Sequence, residues 1–452
     1  MHIFGKYILI LCVSQTALSI ERGYAIIIHS KSISWVKGEK EMARVYILDV
    51  TNRDGVQTAR LGLAKLEKTI INMYLNELGV FQSEFGFPFT KHEKNYLNGN
   101  LELAEMGALS PIRLEGWCRA IRKDVEKAFQ YVPKIEHLNL SISTSEIMLE
   151  GKFLGKLSRA DVVKAMTEAV DVAYDKGAKT VGVNAEDASR TEISYLIEFG
   201  LAAKEHKAKR LRYCDTLGAD DPLTIYERIK KIAVATKIDI ELHCHNDLGM
   251  AVACSVAGAK GAVDAGVDAY INTTVNAVGE RAGNADLLSV LLALKYGSGL
   301  KGKKLFPPEI KLNKFWHLAK YASYAFGIPI PVNQVGVGAN AFAHESGIHA
   351  DGALKDRRNY ELYDFEELGR GEPELVETGR MITVGEYSGI KGFRNVFGKL
   401  EVEFKDDKEA ERILELVRYA NVHTQKPLTK EELIFVAKYP DQARKIMTVT
   451  PP

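Results

Sequence analysis

Paired cysteines are missing from this 452-residue chain: Cys12, Cys118, Cys214, Cys244 and Cys254 are scattered, odd in number and never in a CxxC pair. A disulfide framework is excluded, and a reducing, cytoplasmic compartment is expected. Charge excess is missing too, with 60 Lys+Arg set against 59 Asp+Glu. Nothing therefore offers an electrostatic surface to nucleic acid or anionic lipid, and the expected partners are small molecules. The apolar run from Tyr7 to Val13, which follows Lys6, is too short to span a bilayer, so no membrane partner is expected. It reads either as the h-region of a signal peptide or as part of an upstream extension. No clear period is present up to Glu41, and residues 1–41 are expected to be a poorly ordered N-terminal extension or a misassigned start. Internal repeats, low-complexity tracts and coiled-coil heptads are absent as well.

The length suffices for a barrel-sized domain plus a smaller one. From Val45 onward short β-rich runs alternate with amphipathic stretches, the pattern of an α/β protein with a parallel sheet. The expected strands are Val45–Val50, Val80–Phe87, Ile112–Trp117, Ile135–Ile142, Thr180–Asn184, Leu211–Cys214, the run carrying His243 and His245, and Ala269–Thr274. Helices are expected near Ala64–Leu78 and Ser158–Tyr174, the second opened by a capping box of Ser158 and Asp161. Eight βα units ending near Gly297 predict a TIM (β/α)8 barrel over residues 42–298. The rival, a doubly wound open sheet, has no GxGxxG turn to support it. Pro307, Pro308, Pro329 and Pro331 then punctuate a linker with one strong helix, Lys314–Phe326. Ala343–Gly352 is a polar, glycine-punctuated run that reads as a functional loop. The tail from Lys408 is helical with a break at Pro427. Residues 299–452 are thus expected to be a linker and a helical subdomain capping the active site.

His243 and His245 stand two apart on a strand, so both leave one face, about 6 to 7 Å apart. Such a pair can share a divalent metal, or can be two surface histidines that happen to alternate. Arg53, Asp54, Glu84, Asn139, Glu186, Asp215, Thr216, His243, His245 and Asn284 all fall at or beyond C-terminal strand ends, where barrel enzymes keep their chemistry.

Asp49-Val50-Thr51-Asn52-Arg53-Asp54-Gly55-Val56-Gln57 resembles the D-x-T-x-R-D-G-x-Q signature of the isopropylmalate, homocitrate and citramalate synthases, members of the DRE-TIM metallolyase superfamily. Ser83–Pro88, Glu186–Arg190, Cys214–Gly218, His243–Asp247, Gly279–Asn284 and His344–Gly352 resemble further blocks of that family in the same order. The resemblance runs from about Val45 to Gly392. It implies an acyltransferase that turns the acyl group into an alkyl group on transfer: a Claisen condensation of acetyl-CoA with a 2-oxoacid, then thioester hydrolysis. It implies Asp54, His243, His245 and Asn284 as ligands of a divalent cation; Mn²⁺ is favoured, with Mg²⁺, Co²⁺ and Zn²⁺ open. It implies Arg53 over the reacting carbonyl, Thr216 on the oxoacid carboxylate, and Glu84 and Gln57 as supporting residues. It implies Glu186, His349 and Tyr360 as the set that moves the methyl proton. His349 and Tyr360 lie after the barrel, so the resemblance implies closure over the mouth of a partner subunit in a homodimer.

Departures from the family bear on the oxoacid. Isopropylmalate synthases usually continue into a leucine-binding domain that this sequence does not show. Val56 stands where many members have Glu, Asn139 replaces a common His, Gly182 occupies the place of a homocitrate synthase Arg, and Gly385–Gly389 departs from G-K-H-S-G. Arg60 can grip the second carboxylate of a shorter substrate through two parallel hydrogen bonds, or can be a solvated arginine on the following helix. These features resemble most the Re-citrate synthases, which condense acetyl-CoA with oxaloacetate. Homocitrate synthase, using 2-oxoglutarate, is the nearest alternative, followed by isopropylmalate or citramalate synthase. Metal-dependent aldolases and lyases, biotin carboxyltransferase barrels and a non-catalytic ligand sensor are readings of another class.

Overall fold

The computed structural model describes residues 43–300, 305–374 and 379–451, together with three N-terminal strands. The chain divides into two units, 1–43 and 44–452. In the first, β1 (Ile20–Glu21), β2 (Tyr24–His29) and β3 (Ser32–Lys37) form an antiparallel sheet in the order β1-β2-β3. This sheet lies within the stretch expected to be a poorly ordered extension. The run Tyr7–Val13 lies outside the described residues.

The second unit contains a closed barrel of eight strands: β4 (Val45–Asp49), β5 (Gln82–Gly86), β6 (Arg113–Arg119), β7 (His137–Ser143), β8 (Thr180–Glu186), β9 (Arg210–Asp215), β10 (Asp239–Cys244) and β11 (Ala269–Thr273). Each pairs in parallel with the next, and β11 pairs with β4 to close the ring. The helices between them are α1 (Lys65–Leu78), α2 (Lys94–Glu105), α3 (Arg122–Tyr131), α4 (Glu146–Gly151), α5 (Arg159–Asp175), α6 (Ile193–Glu205), α7 (Pro222–Thr236), α8 (Ala251–Asp264) and α9 (Leu287–Tyr296). This is the expected TIM barrel. The capping box of α5 is present: the Asp161 amide donates to Ser158 Oγ at 3.2 Å and the Ser158 amide to Asp161 Oδ2 at 2.9 Å.

One strand starts later than its hydrophobicity suggests. Gly79 takes the left-handed conformation at φ 89°, and the Val80 amide donates to Leu75 O at 3.0 Å. Val80 therefore closes α1 instead of opening β5. After the barrel come α10 (Phe315–Phe326), α11 (Gly347–Lys355), α12 (Ile390–Lys399), α13 (Asp407–Thr424), α14 (Lys430–Lys438) and α15 (Pro440–Met447). The tail breaks around Pro427 as expected, with Gln425 left-handed at φ 56°. Within the single chain the tail lies against α1 and α2. Lys426 Nζ pairs with Glu67 at 2.9 Å, and Asn95 Nδ2 donates to Thr448 O at 2.6 Å.

Two layers pack differently. Between strands and helices the core is aliphatic, from Ile47, Ile71 and Leu75 round to Leu242, Ile271 and Leu291. Inside the barrel the filling is ionic. Arg210 donates to Glu241 Oε2 at 2.9 Å and to Glu115 Oε1 at 2.7 Å. Arg212, wholly buried, donates to Glu241 Oε1 at 2.7 Å and to Glu84 Oε1 at 2.8 Å. Burial would raise the Glu84 and Glu241 carboxyls, but Arg212 with Arg53 for the first and with Arg210 for the second holds both below the ordinary range. Burial prevails at Glu115, whose carboxyl is pushed up to about 7.

Removing one partner of such a network strands the others in low dielectric. Arg212→Met is expected to cost about 3–5 kcal/mol of stability at pH 8. The carboxylates it pairs have depressed values in the fold, so their contribution is present above the ordinary carboxylate range and fades as pH falls. The deficit of the variant, read as the shift in denaturant midpoint, should accordingly stay constant from pH 8 to pH 6 and shrink only as pH falls below about 4.

Candidate active site

The ionic column ends at the C-terminal mouth of the barrel. Glu84, buried at the middle of β5, accepts from Arg212 on one oxygen and from Arg53 Nε on the other at 2.5 Å. Arg53 is nearly buried and donates in turn to Asp54 Oδ1 at 2.7 Å, with its guanidinium carbon 5.8 Å from the centroid of the Trp117 ring. Arg53 and Asp54 occupy the tight turn after β4, where the amides of Arg53, Asp54 and Gly55 all donate to Val50 O. That turn points successive side chains back across the mouth.

Asp54, His243 and His245 form a buried cluster whose ligating atoms lie within 4.8 Å of one another. The two imidazoles meet edge to face with centroids 5.0 Å apart. His243 Nδ1 is 3.1 Å from Asn272 Oδ1, which fixes its ring and turns Nε2 toward the cluster. Burial pushes both histidines toward the neutral form that binds metals. Burial would raise the Asp54 carboxyl, but the adjacent Arg53 guanidinium holds it ionised and below the usual range. Asn284 Nδ2 donates to Asp54 Oδ2 at 2.5 Å. Gly279 makes this approach feasible, since a Cβ there would stand 2.1 Å from that amide nitrogen.

This donor set suits a divalent cation. His245 Nδ1 and Asn284 Oδ1 are both buried without a hydrogen-bond partner, an arrangement that is costly unless something else engages them. One carboxylate, two neutral imidazoles and an amide oxygen are ligands for Mn²⁺, Co²⁺ or Zn²⁺, with Mg²⁺ disfavoured by the nitrogens.

The other expected residues are distributed around the same rim. Thr216 follows β9, its Oγ1 accepting from the Asp187 amide at 2.9 Å and its carbonyl accepting from Arg281. Glu186 ends β8 and is bound by Ser143 and Lys152, neither of which sequence reasoning singled out. Gln57 and Arg60 are exposed in the segment before α1; Arg60 is in a turn at φ 68°, not on the helix. His349 and Tyr360 come together, ring centroids 4.4 Å apart, on a segment where α11 buries no side chain. Among the described residues no hydrogen bond or ion pair joins them to Glu186. Below the mouth, Asn139 is fully buried with both amide atoms unpartnered, and a Cβ on Gly182 would stand 2.8 Å from its Nδ2. The serines and lysine around Glu186 had a faint signal in the Ser143-Thr144-Ser145 run. Arg212 had one in the alternation Arg210-Leu211-Arg212, where two charges on one strand face must find partners inside.

A closed parallel barrel with this cluster at its C-terminal end defines a TIM-barrel enzyme with a candidate metal centre. The chain belongs to the HMGL-like family, which matches residues 44–321, and residues 337–424 match the homocitrate synthase post-HMGL domain-like family. It is 62% identical over 411 residues to the citrate (Re)-synthase of Dehalococcoides mccartyi, covering 91% of this chain and 99% of that one. The 2-isopropylmalate synthase 2 of Caldanaerobacter subterraneus subsp. tengcongensis is 40% identical, over 87% of this chain and 94% of its own. Homocitrate synthase 1 of a Nostoc species is 33% identical, over 88% and 98%. Among solved structures, the HMG-CoA lyase of Bacillus subtilis shares the barrel with a TM-score of 0.51 at 19% identity, over 64% of this chain and 95% of that one. Among the described residues no helix is long and apolar enough to cross a membrane.

Deleting one imidazole should weaken the cluster more than it disturbs the barrel. His245→Ala is expected to reduce Mn²⁺ affinity by about tenfold or more, measured by titration calorimetry. Far-ultraviolet circular dichroism should be unchanged.

Proposed function

We propose that this protein condenses acetyl-CoA with oxaloacetate to give citrate and CoA, as a citrate synthase of the Re type. The observation that carries the reading is the 62% identity with a citrate (Re)-synthase along 99% of that relative's length. The isopropylmalate and homocitrate synthases, at 40% and 33%, stand further away and mark the alternatives.

Asp54, His243, His245 and Asn284 would hold the cation. When bound, it supplies a Lewis acid that polarises the ketone of the oxoacid. Arg53 offers a permanent charge to the oxygen that becomes negative as the carbon–carbon bond forms, and Glu84 with Trp117 keeps its guanidinium in place. Thr216 orients the oxoacid carboxylate, with Gln57 and Glu84 in support. Arg60 is available for the second carboxylate, being exposed and without a carboxylate partner among the described residues. Glu186, His349 and Tyr360 move the methyl proton. The exposure of His349 and Tyr360, beside Ile348 at 75% and Leu354 at 89%, supports a homodimer in which these residues complete the site of the other subunit. The balance of charge and the odd-numbered, scattered cysteines, of which Cys118, Cys214, Cys244 and Cys254 are free, support a cytoplasmic enzyme without nucleic-acid or membrane partners.

Thiol release from acetyl-CoA with Mn²⁺, compared across oxaloacetate, 2-oxoglutarate, 2-oxoisovalerate and pyruvate, tests the reading. Oxaloacetate is expected to be preferred, and Arg53→Ala to lose about 100-fold or more in kcat. Preference for another oxoacid overturns the citrate assignment. The shared site has its own test: Glu186→Gln and His349→Ala, each nearly inactive alone, should regain about a quarter of wild-type activity when mixed and allowed to exchange subunits.

A further inference from the structure

Glu186 is held by one of its two oxygens. Ser143 Oγ donates to Oε2 at 2.5 Å, and Lys152 Nζ donates to the same Oε2 at 2.5 Å. Lys152 Nζ also lies 3.1 Å from Ser143 Oγ, so lysine, serine and carboxylate form a closed triangle. Oε1 takes no part in it.

The triangle is built into the rim. Ser143 and Glu186 are direct register partners where β7 and β8 end. The Thr144 amide donates to Glu186 O at 3.0 Å, and Thr144 Oγ1 adds a second bond to the same carbonyl at 3.2 Å. Ser145 caps α4 by accepting from the Met148 amide at 3.2 Å and also binds the Asp187 carboxylate. Through these contacts α4 is fastened to the end of β8. Lys152, just past the C-terminus of α4, donates its own amide to Met148 O at 2.9 Å, which sets its side chain back over the rim.

The Lys152 and Glu186 side chains are 47% and 27% exposed, so their ion pair adds little to stability. What two donors on one oxygen do accomplish is to fix the carboxylate plane and its direction. We propose that Lys152 and Ser143 are positioning residues that clamp Glu186 Oε2 and leave Oε1 as the oxygen that serves the proton transfer. This rests on the condensation reading. The methyl C–H bond of acetyl-CoA breaks, its proton passes toward Oε1, and its electron pair forms the bond to the ketone carbon, whose π pair moves onto the ketone oxygen.

The experiment measures kcat and KM for both substrates in Lys152→Met, Lys152→Arg and Ser143→Ala. Lys152→Met is expected to lose about tenfold to a hundredfold in kcat while the KM of oxaloacetate stays within about twofold. Lys152→Arg should recover most of the rate, Ser143→Ala should show a smaller loss of the same kind, and thermal midpoints should be unchanged. An unaltered kcat in Lys152→Met overturns the proposal. So does a raised oxaloacetate KM with kcat retained, which would make Lys152 a contact of the substrate carboxylate. If wild type prefers a different oxoacid, the citrate reading falls, and the same comparison decides the clamp with that substrate.

Discussion

Glu84 links the interior of the barrel to its chemistry. One carboxylate oxygen takes Arg212 from below and the other takes Arg53 from above, so the arginine at the reacting end is the top of an ionic column that begins at Arg210. Most TIM barrels fill this space with branched aliphatic side chains. Here charges fill it, and a charge surrounded by low dielectric tolerates few positions. In the role proposed for it, Arg53 would have almost no freedom to reorganise as charge develops on a substrate, which is where electrostatic catalysis gains its advantage.

The rim is divided by angle. Metal-type ligands come from the ends of β4 and β10 and from the segment after β11, which are neighbours in the closed ring, while Glu186 comes from β8 and Ser143 from β7. Thr216, after β9, lies between the two sectors and bonds to the backbone beside Glu186. On the proposed function, a substrate spanning the two sectors would meet an electrophilic side and a basic side. Neither can drift toward the other without breaking strand register.

Residues whose role is written in local chemistry were legible in the sequence. Strand alternation put His243 and His245 on one face, and the Arg53-Asp54-Gly55 turn announced itself by position after a strand. Ser158 and Asp161 specified their own helix start. What escaped depends on neighbours distant in sequence. Lys152 looks like an ordinary surface lysine until Glu186, thirty-four positions later, is brought beside it. Arg210 and Arg212 look improbable in a buried strand until Glu84, Glu115 and Glu241 arrive from three other strands. Val80 looked like strand because its hydrophobicity is real; a left-handed Gly79 gave that residue to the preceding helix.

Asn139 and Gly182 face each other across adjacent strands in register, with no room for a side chain at 182 unless the amide at 139 gives way. The two positions are consequently coupled: a side chain at 182 requires the residue at 139 to shrink or turn, so the pair is expected to tolerate a matched double exchange better than a single exchange at 182.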